Sequence, residues 1–169
     1  MKQLTFIQVR KDNDNHCAEF VQLFRDYIIE DDIDLYERDE LDMQALEEWM
    51  DSIIEMQGDS DRHLELCYDG EKLVGFLYGK VDHENHNGFI KPGWGYVMEF
   101  YVKPEYRRQG YGYAMMLRLE GLLAADGTTQ LYLQVGSVLG APFWTRLGFC
   151  ETDEVSPEND ISIWVKTVE

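Results

Sequence analysis

The chain has 169 residues, of which 44% are hydrophobic, and this is enough to form one domain with a real core. Its formal net charge of −18 argues against nucleic acid as a partner, because phosphate binding needs clustered Lys and Arg. We find no apolar run long enough to span a membrane, no signal peptide pattern, and only three scattered cysteines. We therefore expect a cytoplasmic protein with no membrane partner and no disulfide framework.

The acidity is distributed unevenly along the chain. Residues 1–96 carry nine Lys/Arg and 23 Asp/Glu, a net charge of −14, and residues 149–169 carry one and six, a net charge of −5. Residues 97–148 carry five and four, a net charge of +1. The middle of the chain is therefore the only part in which a polyanionic ligand meets no net repulsion.

Hydrophobic periodicity predicts alternating strands and helices throughout. The predicted strands are residues 4–10, 63–68, 72–81, 97–102, 131–135, 149–152 and 161–167. The predicted helices are residues 16–30, 43–57, 112–125 and 139–147. We expect Asp14 and Asp42 to cap the first two helices, and Asp69-Gly70 to join a hairpin. No linker or repeat interrupts the pattern, so we predict one mixed α/β domain over residues 1–169.

The most informative segment is YVKPEYRRQGYGY, residues 101–113. An apolar strand runs into a short basic turn, and Gly110-Tyr111-Gly112 then opens a helix. Glycines let the backbone come close to a ligand, and the first helical turn offers unpaired N–H groups and the positive end of the helix dipole. Arg107 and Arg108 add charge-assisted donors. The segment therefore predicts a site for phosphate or pyrophosphate.

Two common phosphate motifs do not fit this segment. A dinucleotide fingerprint needs Gly or Ala where the chain has Met115, and a Walker loop needs a Gly-Lys-Ser/Thr that the sequence lacks. Residues 107–112, RRQGYG, instead fit the pattern Arg/Gln-x-x-Gly-x-Gly/Ala. With the strand MEFYV before it and FWTRLGF (residues 143–149) after it, the chain resembles the GNAT superfamily of N-acetyltransferases. The resemblance covers nearly the whole chain in element order, and its specific motifs lie between residues 97 and 149.

The resemblance implies a GNAT-like α/β (α+β) domain with a mixed sheet of six to seven strands, splayed in the middle, and about four helices. It implies that acetyl-CoA or coenzyme A lies where residues 97–102 and 131–135 separate. The cofactor-binding residues that we predict are Phe100, Tyr101 and Val102 for the pantetheine arm, and Arg107, Arg108, Gln109, Gly110, Tyr111, Gly112, Tyr113, Ser137 and Trp144 for the remainder. We predict no metal. The alternative is a plain glycine turn with surface arginines.

Glu99 is the predicted catalytic base, because it is the only acid in an otherwise apolar strand. A carboxylate there is costly unless it is paired or functional, and burial raises its pKa toward the range useful for a base. By the resemblance, many members carry an acid at this strand position, and a backbone N–H of Tyr101 or Val102 stabilises the oxyanion. The alternatives for Glu99 are an ion pair with Arg118 or Arg146, or exposure to solvent.

Trp144 departs from the family pattern, since members commonly have a tyrosine there that protonates the departing thiolate. An indole N–H can donate a hydrogen bond but is not an acid. Three explanations stay open: the thiolate leaves without help, a hydroxyl of Tyr132, Ser137 or Tyr101 substitutes, or the domain binds the cofactor without turnover. Ser137 could alternatively cap the helix that follows it.

The acceptor side, by the resemblance, is formed by the first two helices and the loop after the third strand. Residues 30–61 carry 14 Asp/Glu and one basic residue, Arg38, which predicts a cationic amine acceptor: a polyamine, an aminoglycoside-like amine or a basic peptide. Protein N-terminal or lysine acetylation, or an acidic face that only aids solubility, are the alternatives. Tyr36, Trp49 and Trp94 could line a pocket, although the spacing of Trp49 also predicts a core position.

Two further expectations concern metal and assembly. His83 and His86, with Asp82 and Glu84, do not match the ligand spacings of zinc sites. Relatives are often dimers, so a homodimer remains an open expectation from the resemblance.

Overall fold

The computed structural model describes residues 2–34, 43–59 and 61–169. Within them lie four α-helices, one short 3-10 helix and seven strands. The helices are α1 (Asp14–Asp34), α2 (Met43–Glu55), α3 (Tyr111–Ala125) and α4 (Ala141–Arg146), and the 3-10 helix covers Pro104–Tyr106. The strands are β1 (Leu4–Gln8), β2 (Arg62–Asp69), β3 (Lys72–Val81), β4 (Gly95–Val102), β5 (Gln130–Val135), β6 (Cys150–Val155) and β7 (Ser162–Thr167).

The strands form one open, mixed sheet in the order β1-β2-β3-β4-β5-β7-β6. β1 runs antiparallel to β2, β4 runs parallel to β5, and β7 runs antiparallel to both β5 and β6. The parallel pair is the one joined by α3, as expected for a crossover connection. The predicted fold, a mixed sheet of six to seven strands with four helices, is confirmed.

Backbone contacts divide the chain into two compact units. The first comprises residues 1–77 and 100–112, and the second comprises residues 78–99 and 113–169. In the first unit the core is aromatic: Phe20 and Phe24 of α1 pack on Phe76 of β3, with ring centroids 5.3 and 5.9 Å apart. All three rings are fully buried.

The second unit is built around α3. Met115, Met116, Leu119 and Leu123 of this helix are fully buried, so the two methionines belong to the core. Two glycines let the helix and the strands approach closely. A Cβ at Gly79 would lie 3.0 Å from a methyl group of Leu119, and a Cβ at Gly95 would lie 2.5 Å from a methyl group of Leu131 and 3.1 Å from one of Leu123.

Several local predictions were wrong at helix starts. The backbone N–H of His16 donates to Oδ1 of Asn13 at 3.0 Å, so Asn13 caps α1 where Asp14 was predicted. Gly140 precedes α4, and no side chain caps this helix. Ser137 contributes its backbone carbonyl, which accepts from the N–H of Gly140, so the prediction that Ser137 caps α4 was wrong. The predicted cap Asp42 lies outside the described residues.

Trp49 is also not the core residue that its spacing predicts. Its side chain is 43% exposed, and its ring packs edge-on against Phe24 with the centroids 4.9 Å apart. The buried residues of α2 are instead Leu46, Met50 and Ile53. Tyr36 and Arg38, which entered the acceptor prediction, lie outside the described residues. Among the helices that are described, none combines the length and apolar character needed to cross a membrane.

Candidate active site

The basic glycine turn leads directly into the N-terminus of a helix. Arg108 and Gly110 both lie in the left-handed region, with φ of 59° and 88°, and α3 begins at Tyr111. The N-terminus of α3 offers unpaired backbone N–H donors and the positive end of the helix dipole. A Cβ on Gly110 would meet nothing within 4 Å, so open space lies over the turn. The turn therefore fits a phosphate group.

Arg107 is held by a carboxylate from α1 in the same unit. Its Nη1 and Nη2 donate to the two carboxylate oxygens of Glu30 at 2.6 and 2.9 Å, and its Nε donates to the carbonyl of Val102 at 2.8 Å. These hydrogen bonds from Arg107 lower the pKa of Glu30, against the opposing effect of burial. The guanidinium group of Arg107 therefore holds the turn in place through its bonds to Glu30 and to the backbone of Val102.

Tyr101 joins the same cluster. Its hydroxyl donates to Oε2 of Glu30 at 3.2 Å, and its ring lies 5.5 Å from the guanidinium carbon of Arg107. Burial, followed by the charge of Glu30, raises the pKa of the Tyr101 hydroxyl to about 12. A phenol bound to a carboxylate is a poor proton donor for another group, so Tyr101 does not readily replace the tyrosine missing at Trp144.

Tyr111 anchors the start of α3 through its side chain. The ring is buried, its hydroxyl donates to Asp69 at the end of β2, and the ammonium of Lys2 lies 3.3 Å from the ring centroid. Only the backbone of Tyr111 is thus placed to serve the turn. Gln109 is exposed, and its side-chain amide donates to the carbonyl of Glu105 at 2.9 Å.

The end of β4 presents one backbone donor in a defined direction. A Cβ on Gly75 would lie only 2.0 Å from the carbonyl oxygen of Tyr101, so this carbonyl points toward β3. The C=O and N–H of one trans peptide point in opposite directions, so the N–H of Val102 points away from β3. In the next peptide, the N–H of Lys103 donates to Val74 of β3 at 2.9 Å, and the carbonyl of Val102 accepts from Arg107 on the other side.

In the second unit, β4 and β5 pair over a short stretch. The parallel register joins Gly95 to Leu131 and Tyr96 to Tyr132, while β4 continues to Val102 and β5 to Val135. The two strands thus part after Tyr96 and Tyr132, as the resemblance predicted for the middle of the sheet. Glu99 lies half-buried three residues beyond the last pair.

An aromatic stack closes the point at which the strands part. The rings of Tyr96 and Tyr132 are parallel within 6°, with centroids 4.5 Å apart. The hydroxyl of Tyr132 donates to Asp82, a fully buried carboxylate that also accepts from the backbone of Lys91 at 2.8 Å and lies 3.2 Å from the ammonium of Lys80. Burial, and then the hydrogen bond to Asp82, raises the pKa of Tyr132. Because its proton is already donated to this carboxylate, the Tyr132 hydroxyl is a poor proton donor for another group.

Tyr96 is a residue that sequence reasoning missed. Its side chain is half-buried, and its hydroxyl oxygen accepts a hydrogen bond from Nε2 of Gln134 at 3.3 Å. The other side-chain atom of that amide, Oε1 of Gln134, accepts from Asn159 at 3.0 Å. Burial raises the pKa of Tyr96 first, followed by the negative charges of Glu99, Asp82 and Glu158. The predicted strand began at residue 97, whereas β4 begins at Gly95, so the prediction left Tyr96 just outside the strand that carries Glu99.

The remaining predicted residues lie in and around α4 and α3. Trp144 is half-buried, with its ring edge-on to Phe143 at 4.8 Å and to Phe149 at 5.7 Å between centroids. Ser137 is exposed, and the side chain of Tyr113 is 56% exposed. In the part of the chain that the structure describes, no three His, Cys, Asp or Glu side chains are grouped to hold a metal ion.

Comparison with known proteins adds a family and a fold. The family model described as acetyltransferase (GNAT) family matches residues 18–149. No curated protein sequence matches the chain significantly. Among solved structures, the PaiA N-acetyltransferase of Thermoplasma acidophilum, in complex with coenzyme A, is similar with a TM-score of 0.73 at 16% identity, over 98% of this chain and 99% of that one.

Two further structures extend the fold comparison. An acetyltransferase from Streptococcus agalactiae superposes with a TM-score of 0.71 at 18% identity, over 99% of both chains. The ribosomal-protein-S18-alanine N-acetyltransferase of Escherichia coli superposes with a TM-score of 0.60 at 16% identity, over 99% of this chain and 95% of that one. At these identities the structures establish a shared fold.

Proposed function

We propose, from the premise that this chain belongs to the acetyltransferase (GNAT) family, that it moves an acetyl group to a primary amine of a small cationic acceptor, a polyamine or an aminoglycoside-like amine. The chain is an N-acetyltransferase with acetyl-CoA as its co-substrate. The observation that carries the proposal is the turn with left-handed Arg108 and Gly110 directly before a helix of 15 residues.

The donor end is proposed to be bound mainly by backbone groups. The N–H groups of residues 108–113 receive the pyrophosphate, with Arg108 as the nearest charged side chain and Arg107 holding the turn in shape. Bound acetyl-CoA supplies an activated thioester. The N–H of Val102, which points away from β3, is our proposed donor to the oxyanion, because Tyr101 turns its carbonyl to the opposite side of the same peptide.

Glu99 is proposed as the general base. A lysine-like ammonium has a pKa of about 10.4, so only about one molecule in a thousand is the free amine near neutral pH. Removing that proton costs about 4–5 kcal/mol at 1.36 kcal/mol per pKa unit. Glu99 is half-buried in β4 just beyond the point where β5 departs, and its charge acts on Tyr96. A carboxylate in that position can take the proton directly or through one water.

The acceptor assignment is supported by charge. Residues 1–96 carry a net charge of −14, and Glu47, Glu48 and Asp51 of α2 are exposed. A negative surface attracts and concentrates cations. Acetylation of a protein N-terminus or lysine is the second enzymatic candidate, and the relative from Escherichia coli, named for the alanine of a ribosomal protein, shares this fold. A module that binds the cofactor without turnover is the third, and Trp144 favours it because indole is not an acid.

One experiment separates these candidates. Thiol release from acetyl-CoA is followed across polyamines, aminoglycosides and basic peptides, at low and at high salt. We expect release with small polyamines or aminoglycosides, and a KM for these acceptors that rises with salt as the charge attraction is screened. Release with peptides alone supports the second candidate. If calorimetry shows that coenzyme A binds but no acceptor releases thiol, the result supports the module that binds the cofactor without turnover. If coenzyme A does not bind, the family-based proposal is overturned.

We also propose a reducing, cytoplasmic location and leave a homodimer as an expectation. Among the described residues, Cys17, Cys67 and Cys150 are free thiols. Burial, and then the charges of Asp69 and Glu65, raises the pKa of Cys67 to about 12, so this thiol is an inert core group.

A further inference from the structure

The structure points to a proton donor for the departing thiolate, a question left open by Trp144. Of the hydroxyls expected to substitute, those of Tyr101 and Tyr132 donate to the carboxylates of Glu30 and Asp82. Ser137 is exposed after β5. Tyr96 differs from the two bound tyrosines, because its hydroxyl oxygen accepts a hydrogen bond from Gln134 and its own proton is still available to donate.

The direction of the Tyr96 side chain follows from its partners. Tyr132 and Gln134 are two residues apart on β5, so they lie on one face of that strand. The ring of Tyr96 stacks on Tyr132, and its hydroxyl reaches Gln134. The hydroxyl therefore points toward the carboxyl ends of the strands, over the segment in which β4 and β5 are no longer paired.

The position of this hydroxyl is held from both sides. Asn159, just before β7, donates to Gln134, which leaves the amide NH₂ of Gln134 directed at Tyr96. On the other side, the buried Asp82 fixes Tyr132 and with it the plane of the stack. Such support keeps a functional group within a narrow range of positions.

We propose that Tyr96 is a further catalytic residue, whose hydroxyl gives its proton to the thiolate in place of the tyrosine that Trp144 replaces. This inference rests on the proposed function. The carbon–sulfur bond breaks with its electron pair on sulfur, the Tyr96 O–H bond breaks, and a sulfur–hydrogen bond forms. Solvent returns a proton to the Tyr96 oxygen, while Glu99 takes up the proton that the attacking amine loses. Burial raises the pKa of the Tyr96 phenol, so it is protonated at working pH. It differs from Tyr101 and Tyr132 because its proton is not already donated to a carboxylate.

The test is a double-deletion binding cycle. One change removes the Tyr96 hydroxyl, and the other removes the sulfur of coenzyme A. Calorimetry measures the affinities of the wild type and of Tyr96→Phe for coenzyme A and for its desulfo analogue, above about pH 8.5, where thiolate is populated. We expect Tyr96→Phe to weaken coenzyme A binding about tenfold, the contribution of one hydrogen bond to a charged group, and to leave desulfo-coenzyme A binding unchanged. Equal weakening of both ligands, or none, overturns the proposal.

A matched control removes another phenol hydroxyl. Tyr68→Phe deletes a hydroxyl that donates to Glu19, and we expect it to affect both ligands alike. If Tyr96→Phe does not fold, Gln134→Leu provides the same test, because it removes the hydrogen bond that orients Tyr96 and should reduce the difference between the two ligands. If Gln134→Leu leaves the affinity difference between coenzyme A and desulfo-coenzyme A unchanged, the result counts against the proposal. A wild type that fails to bind either ligand refutes the proposed function itself.

Discussion

Arg107 and Glu30, 77 positions apart in the chain, form a two-pronged ion pair with N–O distances of 2.6 and 2.9 Å. The pair connects α1 to the basic glycine turn. Because Nε of Arg107 also binds the carbonyl of Val102, Glu30 helps to set the direction of the peptide groups that end β4. Glu30 is therefore a positioning residue for the donor site in the proposed function.

Glu30→Gln should weaken binding of coenzyme A. The amide keeps the shape of the side chain but loses the charge that holds Arg107, so the turn is less well ordered before it binds its ligand. We expect the calorimetric Kd to rise up to about fivefold, which corresponds to the ~1 kcal/mol of a good exposed ion pair. The control is Glu47→Gln, which removes a similar bond of 2.7 Å to Arg25. Equal effects of the two variants would exclude a specific role for Glu30.

The same pair makes stability depend on pH. Arg107 lowers the pKa of Glu30 in the folded protein below its ordinary value of 4.5. The stabilisation is therefore complete above that ordinary value and disappears as the pH falls through the lowered one. Urea unfolding should show the wild type more stable than Glu30→Gln near neutral pH, with a difference that shrinks in acid. A difference that stays constant down to about pH 3 would contradict the ion-pair explanation.

Gly110 should be required for cofactor binding beyond its effect on stability. Its φ of 88° is strained for any residue with a Cβ, although a Cβ would meet no neighbour within 4 Å. Gly110→Ala should cost about 1–2 kcal/mol of unfolding free energy and also impair coenzyme A binding, because the turn relaxes away from the anion-binding geometry. Gly127, with a φ of 96° and equally open surroundings, is the matched control. Gly127→Ala should lower the unfolding free energy by a similar amount and leave the Kd for coenzyme A unchanged.

Gly75 should be required for the fold. A Cβ there would lie 2.0 Å from the carbonyl oxygen of Tyr101 and 3.0 Å from its carbon, and backbone atoms cannot move aside as a flexible side chain can. Gly75→Ala should therefore lower the unfolding free energy by at least about 1–3 kcal/mol, the usual cost of forced overpacking. Gly121→Ala, in α3 with nothing within 4 Å, should instead raise it by about 0.5–1 kcal/mol. Thermal melts of the two variants that shift in the same direction would refute this prediction.

Local patterns were enough to predict the element order, the seven strands and the glycine turn, because each depends on periodicity or on residues close in sequence. The pairing of Glu30 with Arg107 and the stacking of Tyr96 on Tyr132 depend on which distant segments become neighbours, and local periodicity carries no such information. Trp49 shows the same limit at the surface. Helical spacing placed it on the core side of α2, but its side chain is 43% exposed and its ring packs edge-on against Phe24.

Glu99→Gln should lower turnover most at low pH. The glutamine retains the size of the side chain but cannot accept a proton, so the variant depends on acceptor molecules that are already deprotonated in solution. At pH 7 we expect turnover to fall by about 10²-fold, the lower end of what a general base contributes, and the deficit to shrink as the pH approaches the pKa of the amine. Coenzyme A affinity, measured by calorimetry, should be unchanged, because the proposed phosphate contacts lie in residues 108–113. A pH profile parallel to that of the wild type would show that another group, or solvent alone, takes the proton.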